Sequence, residues 1–136
     1  MILFPVLITS VSSDKKKILI IEDNIETQLI FKVYLREKYS VEIAGNAEKG
    51  IELLTQSKFD LVLLDINLPG KWSGEDVLKE ARKIFNNEEL PIIVITAYAL
   101  RGDREKFLRL GANDYLSKPV EKAALLEEIR KYVTAG

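Results

Sequence analysis

Glu22-Asp23 follow the apolar run Ile18–Ile21, Asp65 follows Leu61–Leu64, Thr96 closes Ile92–Ile95, and Lys118-Pro119 follow Asn113–Ser117. Three carboxylates, a hydroxyl and an ammonium at the ends of separate apolar segments can act together if the segments end at one place. Carboxylates packed within a few ångström repel, and without compensation at least one would be driven protonated. A hard divalent cation resolves this, because Mg²⁺ takes oxygen ligands, keeps several waters and sits between carboxylates and a phosphoryl group. For Glu22-Asp23 alone the competing role is capping of the helix that starts near Ile25. Matching groups at the other segment ends favour a shared site.

The stretch that positions the central carboxylate is FDLVLLDINLPG, Phe59 to Gly70. An unbroken apolar run of this length, stopped by Pro69-Gly70, reads as a parallel strand buried on both faces. Around it, apolar runs alternate with helix-period segments. Strands are expected at Ile18–Ile21, Val41–Ala44, Leu61–Leu64, Ile92–Ile95 and Asn113–Ser117. Helices follow with Ile25, Leu29 and Val33 recurring up to Lys38, then Ala47, Ile51 and Leu54, then Val77, Ala81 and Ile84, then Asp103–Leu110, and last Leu126, Ile129 and Val133. Such alternation predicts a three-layer α/β domain, a parallel sheet with helices on both faces and right-handed crossovers. The first, third and fourth strands are continuously apolar, whereas the second and fifth are interrupted by Glu42, Asp114 and Ser117. Central strands are covered on both faces and edge strands are not. The order 2-1-3-4-5 satisfies this and puts every strand's carboxyl end on one edge of the sheet. That edge, beside a topological switch point, is where open α/β sheets bind ligands.

Composition removes several alternatives. The 136-residue chain suits one domain, carries a formal net charge of -1, and has neither cysteine nor histidine. Thiolate-zinc sites, a histidine general base and a phosphohistidine on this chain are excluded, and no basic footprint for nucleic acid exists. The start, MILFPVLITSVSS, is apolar for eight residues, far short of the roughly 20 that span a membrane. It also lacks the positive start and longer apolar core of a secretory signal. Residues 1–15 therefore read as an arm and linker ahead of a domain at 16–136. Ile2, Phe4, Val6 and Ile8 share a period of two, which fits an extended segment against this domain or a neighbour; a loosely ordered leader, or a start placed too early, fits as well.

The acidic pair Glu22-Asp23, the aspartate of LLDINLPG, the threonine of VITAYA and the lysine-proline of YLSKP, in this order, resemble the receiver domains of two-component response regulators. The likeness runs from about Lys16 to Val133 and implies the flavodoxin-like fold with strand order 2-1-3-4-5. It implies that Asp65 accepts a phosphoryl group from a histidine on a sensor kinase or histidine phosphotransfer protein. Asp23 and Asp65 would then hold Mg²⁺ directly, Asn67 through its backbone carbonyl, and Glu22 mainly through bound water. Lys118 would pair with one phosphoryl oxygen and Thr96 with another, the Lys118–Pro119 bond being cis. Tyr115 resembles the family's switching aromatic, which turns inward as Thr96 moves and reshapes a target-binding surface including Leu100, Phe107 and Glu121. The resemblance further implies a cytoplasmic signalling phosphoacceptor that assists its own phosphorylation and dephosphorylation, rather than an enzyme.

Two features depart from the pattern: Glu22 stands where most relatives have aspartate, and the loop Pro69–Gly74 is one residue longer than the commonest form. The longer loop brings Trp72 to the rim of the site, either packed on the third helix or docking a partner. A dehalogenase-type phosphatase resembles D-x-D, and Asn67 replaces the second acid. A flavodoxin or nucleotide binder needs a phosphate-cradling loop after the first strand, where IEDNIETQ has no glycine and three acids. A receiver-like scaffold without phosphorylation is the remaining alternative. No output domain precedes Gly136, so the sequence reads as a stand-alone receiver or one excised from a larger regulator.

Overall fold

The computed structural model of the protein describes residues 15–97 and 99–134; the expectation of an arm at residues 1–13 lies outside them. Five strands, β1 (Lys17–Ile21), β2 (Ser40–Ala44), β3 (Leu61–Asp65), β4 (Ile92–Thr96) and β5 (Asp114–Ser117), form one parallel sheet in the order β2-β1-β3-β4-β5. Between and after them run α1 (Ile25–Leu35), α2 (Ala47–Gln56), α3 (Gly74–Ile84), α4 (Asp103–Arg109) and α5 (Lys122–Arg130). Every residue of β3 and β4 is buried, and β2 and β5 lie at the edges with partly exposed side chains. The expected order and the expected edges are thus the observed ones.

Alternation along β1 builds two cores. Leu19 and Ile21 face Leu53, Leu54, Val77, Leu78 and Phe107, on the side of α2, α3 and α4. Ile18 and Ile20 face Phe31, Leu35, Leu125 and Ile129, on the side of α1 and α5. Each fully buried Leu or Ile contributes roughly 1.5–3 kcal/mol relative to exposure.

The helix starts are encoded locally. Asn24 and Asn46 cap α1 and α2 by accepting from the Thr27 and Lys49 amides. Ser73 and Asp76 form a reciprocal capping box at α3. Gly102 turns into α4 at φ 87, a left-handed angle that favours glycine.

α1 is rotated from the expected orientation. Ile25, Leu29 and Val33, whose spacing predicts the buried face, are 69%, 57% and 51% exposed, whereas Phe31 and Leu35 are buried. A second stripe, Gln28-Phe31-Leu35, has equally good helical spacing. It wins because Gln28 Nε2 donates to the Glu22 carbonyl at 2.6 Å and Phe31 and Leu35 fill the core over β1. Only one stripe of a helix can face the sheet. Ile84 on α3 is likewise exposed, and Phe107, expected on an outer surface, is buried while Leu100 is exposed.

Candidate functional site

The strand register brings Ile21, Leu64 and Val94 side by side, so the residues beyond them meet at the carboxyl edge. Glu22, Asp23 and Asp65 each place a carboxylate oxygen there, all within 4.8 Å of one another. Glu22 and Asp65 are buried and Asp23 is exposed. At that separation two unit charges repel by roughly 3 kcal/mol at an effective dielectric near 20, less where water reaches Asp23.

One ammonium answers them. Lys118 Nζ donates to Glu22 Oε1 at 2.7 Å and reaches Asp65 Oδ2 at 3.5 Å. The Lys118–Pro119 peptide bond that follows is cis. Burial alone would lower the Lys118 pKa, but its bond to Glu22 and the charges of Asp65 and Glu22 outweigh burial and raise it. Glu22 is pushed above the ordinary glutamate value by burial and by the neighbouring Asp65, although Lys118 and the Asn24 amide, which donates to Oε2 at 3.0 Å, pull the other way.

The loop after β3 holds Asp65 from behind. The Asn67 amide donates to Asp65 Oδ1 at 2.9 Å, and Asn67 Nδ2 donates to the buried Thr96 hydroxyl at 2.9 Å. The first turn of α3 presses on this loop at Gly74. A Cβ there would lie 2.6 Å from Ile66 Cα and 2.7 Å from the Asp65 carbonyl oxygen, so no larger residue permits the approach. Trp72 packs half-buried against the core on the α2–α3 side. Tyr115 stacks on Phe107 of α4, ring centroids 5.9 Å apart and 14° from parallel; burial first, then Asp103, raises its phenol pKa.

Residues 22, 23, 65, 67, 96 and 118 are therefore brought together, with Tyr115 one layer away beside α4. Gln28 and Gly74 escaped sequence reasoning. An E-D-N-x-x-x-Q spacing, which returns an amide one turn into α1, was the available signal for Gln28; Gly74 carried none beyond being a glycine before a helix.

The geometry suits a hard cation, since all three side-chain donors are carboxylate oxygens and their charge exceeds the single ammonium. Residues 18–130 match the model of the response regulator receiver domain. The chain is 39% identical over 118 residues to the uncharacterized transcriptional regulatory protein YkoG of Bacillus subtilis, covering 86% of this chain and 50% of the relative. It spans only 7% of a hybrid histidine kinase from Dictyostelium discoideum to which it is 34% identical over 126 residues. Among solved structures it resembles the receiver domain of sensor histidine kinase PA1611 from Pseudomonas aeruginosa, whose active-site cleft coordinates magnesium. That likeness has a TM-score of 0.77 and 34% identity, covering 86% of this chain and 96% of that one. It also resembles the complex of the Saccharomyces cerevisiae phosphotransfer protein Ypd1 with the Ssk1 receiver domain, at TM-score 0.77 and 32% identity, covering 87% and 88%. With its sheet order, its carboxylate cluster and a family match running from β1 through α5, the chain belongs to the response regulator receiver domains.

Proposed function

We propose that Asp65 is the phosphoryl acceptor of this receiver, taking the group from a phosphohistidine on a sensor kinase or a histidine phosphotransfer protein. The observation that carries this is the shared cluster of Glu22, Asp23 and Asp65 with Lys118 inserted between two of them. In the transfer, Asp65 Oδ forms a bond to phosphorus while the donor's phosphorus–nitrogen bond breaks, its electron pair returning to the imidazole. Phosphoryl transfer of this kind rests mainly on positioning and on neutralising the equatorial oxygens. Lys118 is already beside the acceptor and supplies one positive partner; Thr96, held by Asn67, supplies a hydroxyl.

Mg²⁺ fits the donor set. Asp23, Asp65 and the Asn67 carbonyl would hold it, with Glu22 acting mainly through bound water, and when bound it neutralises charge on the acceptor and the incoming phosphoryl oxygens. Residues 16–136 act as the receiver and 1–15 as an appended arm. We read the chain as a cytoplasmic signalling phosphoacceptor that assists its own phosphorylation and dephosphorylation, with Thr96 and Tyr115 linking the site to the α4–β5–α5 surface that meets a downstream protein.

The test is intact mass after treatment with acetyl phosphate and Mg²⁺. The wild type should gain one phosphoryl group, EDTA should prevent the gain, and Asp65→Asn should abolish it. An unchanged wild-type mass would favour a scaffold that does not use phosphorylation, and modification of the mutant would move the acceptor elsewhere.

A further inference from the structure

The acidic pair is aimed through its backbone. Glu22 and Asp23 lie just past the last rung of the β1–β2 ladder, where Ile21 pairs with Ala44. The Glu22 amide still donates to the Ala44 carbonyl at 3.0 Å, but β2 ends at that residue. A backbone carbonyl beyond a strand end must find its donor elsewhere. Gln28, half-buried one turn into α1, supplies it, with Nε2 donating to the Glu22 carbonyl at 2.6 Å. We propose that Gln28 is a positioning residue for the cation site: by holding the Glu22 carbonyl it sets the direction of Asp23, the exposed member of the carboxylate cluster. The inference rests on the reading of Glu22, Asp23 and Asp65 as the place where Mg²⁺ binds.

The peptide group makes the link rigid. The Glu22 carbonyl and the nitrogen and Cα of Asp23 lie in one plane, so a donor that fixes the carbonyl fixes the plane from which Asp23 starts. On the other side Asn24 is held twice. Its side chain accepts from the Thr27 amide at 2.9 Å, and its own amide donates to Glu22 Oε2 at 3.0 Å. The Glu22 carboxylate is held in addition by Lys118. Asp23 is thus a single residue strung between two fixed neighbours, and loss of the Gln28 donor frees the plane on one side of it. Partners that orient metal ligands typically govern affinity by roughly 10–100-fold, although they never touch the ion.

Gln28 lies on the same helix face as Phe31 and Leu35, which dock α1 on the sheet. A docking role for Gln28 would act on stability, whereas a positioning role acts on affinity. Calorimetric titration of the full-length chain with magnesium chloride separates the two. Gln28→Met keeps the length of the side chain but has no donor, and its Kd for Mg²⁺ should rise roughly tenfold. Gln28→Glu, ionised at neutral pH, adds negative charge near the site yet also lacks a donor, so its Kd should rise as well. Leu35→Val loosens the same helix at its far end; it should lower the thermal midpoint in EDTA and leave the Kd unchanged. In EDTA the Asp23 amide resonance should move in Gln28→Met and keep its position in Leu35→Val.

An unchanged Kd in Gln28→Met would overturn the proposal, as would equal weakening in Leu35→Val, which would leave Gln28 a docking residue. Tighter binding by Gln28→Glu would overturn it by making charge, rather than aim, the governing factor. Absence of Mg²⁺ binding by the wild type would instead overturn the cation reading itself, and this inference with it.

Discussion

The two edges of the sheet treat charge in opposite ways. At the carboxyl edge, Glu22 and Asp65, crowded by Asp23, share the Lys118 ammonium. At the amino edge each charge is met by its own partners. Arg82 Nε donates to the Gly111 carbonyl at 2.7 Å, Nη1 to those of Phe85, Asn86 and Leu90 at 3.3, 3.2 and 2.9 Å, and Nη2 to Asn113 Oδ1 at 2.9 Å. Asp114, which is buried, accepts from Arg104 Nη1 at 3.0 Å, the neighbouring Tyr115 amide at 2.9 Å and the Tyr132 hydroxyl at 3.0 Å. A charge whose hydrogen bonds are complete fixes loops and strand ends. A surplus of like charge in a small volume is costly until something positive arrives, and that surplus marks the edge proposed above to take the cation and the phosphoryl group.

The largest effect should come from emptying the amino edge. Arg82→Ala removes five hydrogen bonds and leaves the Leu90 carbonyl short of a donor, while that of Gly111 keeps Asn87 Nδ2, which should cost roughly 3 kcal/mol and lower the urea midpoint. Arg82→Lys should recover little, because an ammonium lacks the planar fork that reaches carbonyls on both sides. Neither change should alter the mass gained at Asp65 under conditions where the protein is folded.

The carboxyl edge should respond to a cation instead. Mg²⁺ at a hundredfold excess over its dissociation constant should stabilise the wild type by about 2.7 kcal/mol, read as a raised thermal midpoint. Asp23→Asn should lose most of that gain while melting no lower than the wild type in EDTA, because it also removes one of the repelling charges. A gain that survives in Asp23→Asn would place the cation elsewhere.

The smallest effect should appear on the acid branch of stability. Burial raises the Asp114 pKa, but hydrogen bonds from Glu128, the Tyr115 amide, Tyr132 and Arg104 outweigh it and hold the group below its ordinary 3.8. A depressed carboxylate contributes stability above its unfolded value and loses it as pH falls through the folded one. Glu128 beside it is shifted the other way, upward, by burial first, so its contribution is lost as pH rises. Urea midpoints measured downward from pH 5 should therefore fall less steeply below 3.8 in Asp114→Asn than in the wild type. An equally steep acid branch in the mutant would assign that loss to other carboxylates.

Strand order could be argued before any coordinates, because burial on one face or two leaves its mark on consecutive residues: Leu61–Leu64 is apolar throughout and the β2 and β5 segments are not. The direction of a parallel strand is equally local, so the edge at which Glu22, Asp65, Thr96 and Lys118 emerge was legible too. Helix rotation was not. In α1 the stripes Ile25-Leu29-Val33 and Gln28-Phe31-Leu35 have equally good spacing, and the choice between them depended on a hydrogen bond to the Glu22 carbonyl and on the volume available over Ile18 and Ile20. Asp114 gave a similar lesson, since its sequence position suggested an exposed interruption of an edge strand, and a buried acceptor was found. Its burial depends on donors from Arg104 and Tyr132, ten and eighteen residues away.

The sequence by itself determined periodicity, element type and which residue types end each strand, since these follow from neighbours along the chain. Only the tertiary structure decided which face of α1 is covered, which polar groups complete one another and how closely the carboxylates of Glu22, Asp23 and Asp65 approach. Those depend on distances between segments far apart in the chain, set by how side-chain volumes and hydrogen bonds are satisfied together.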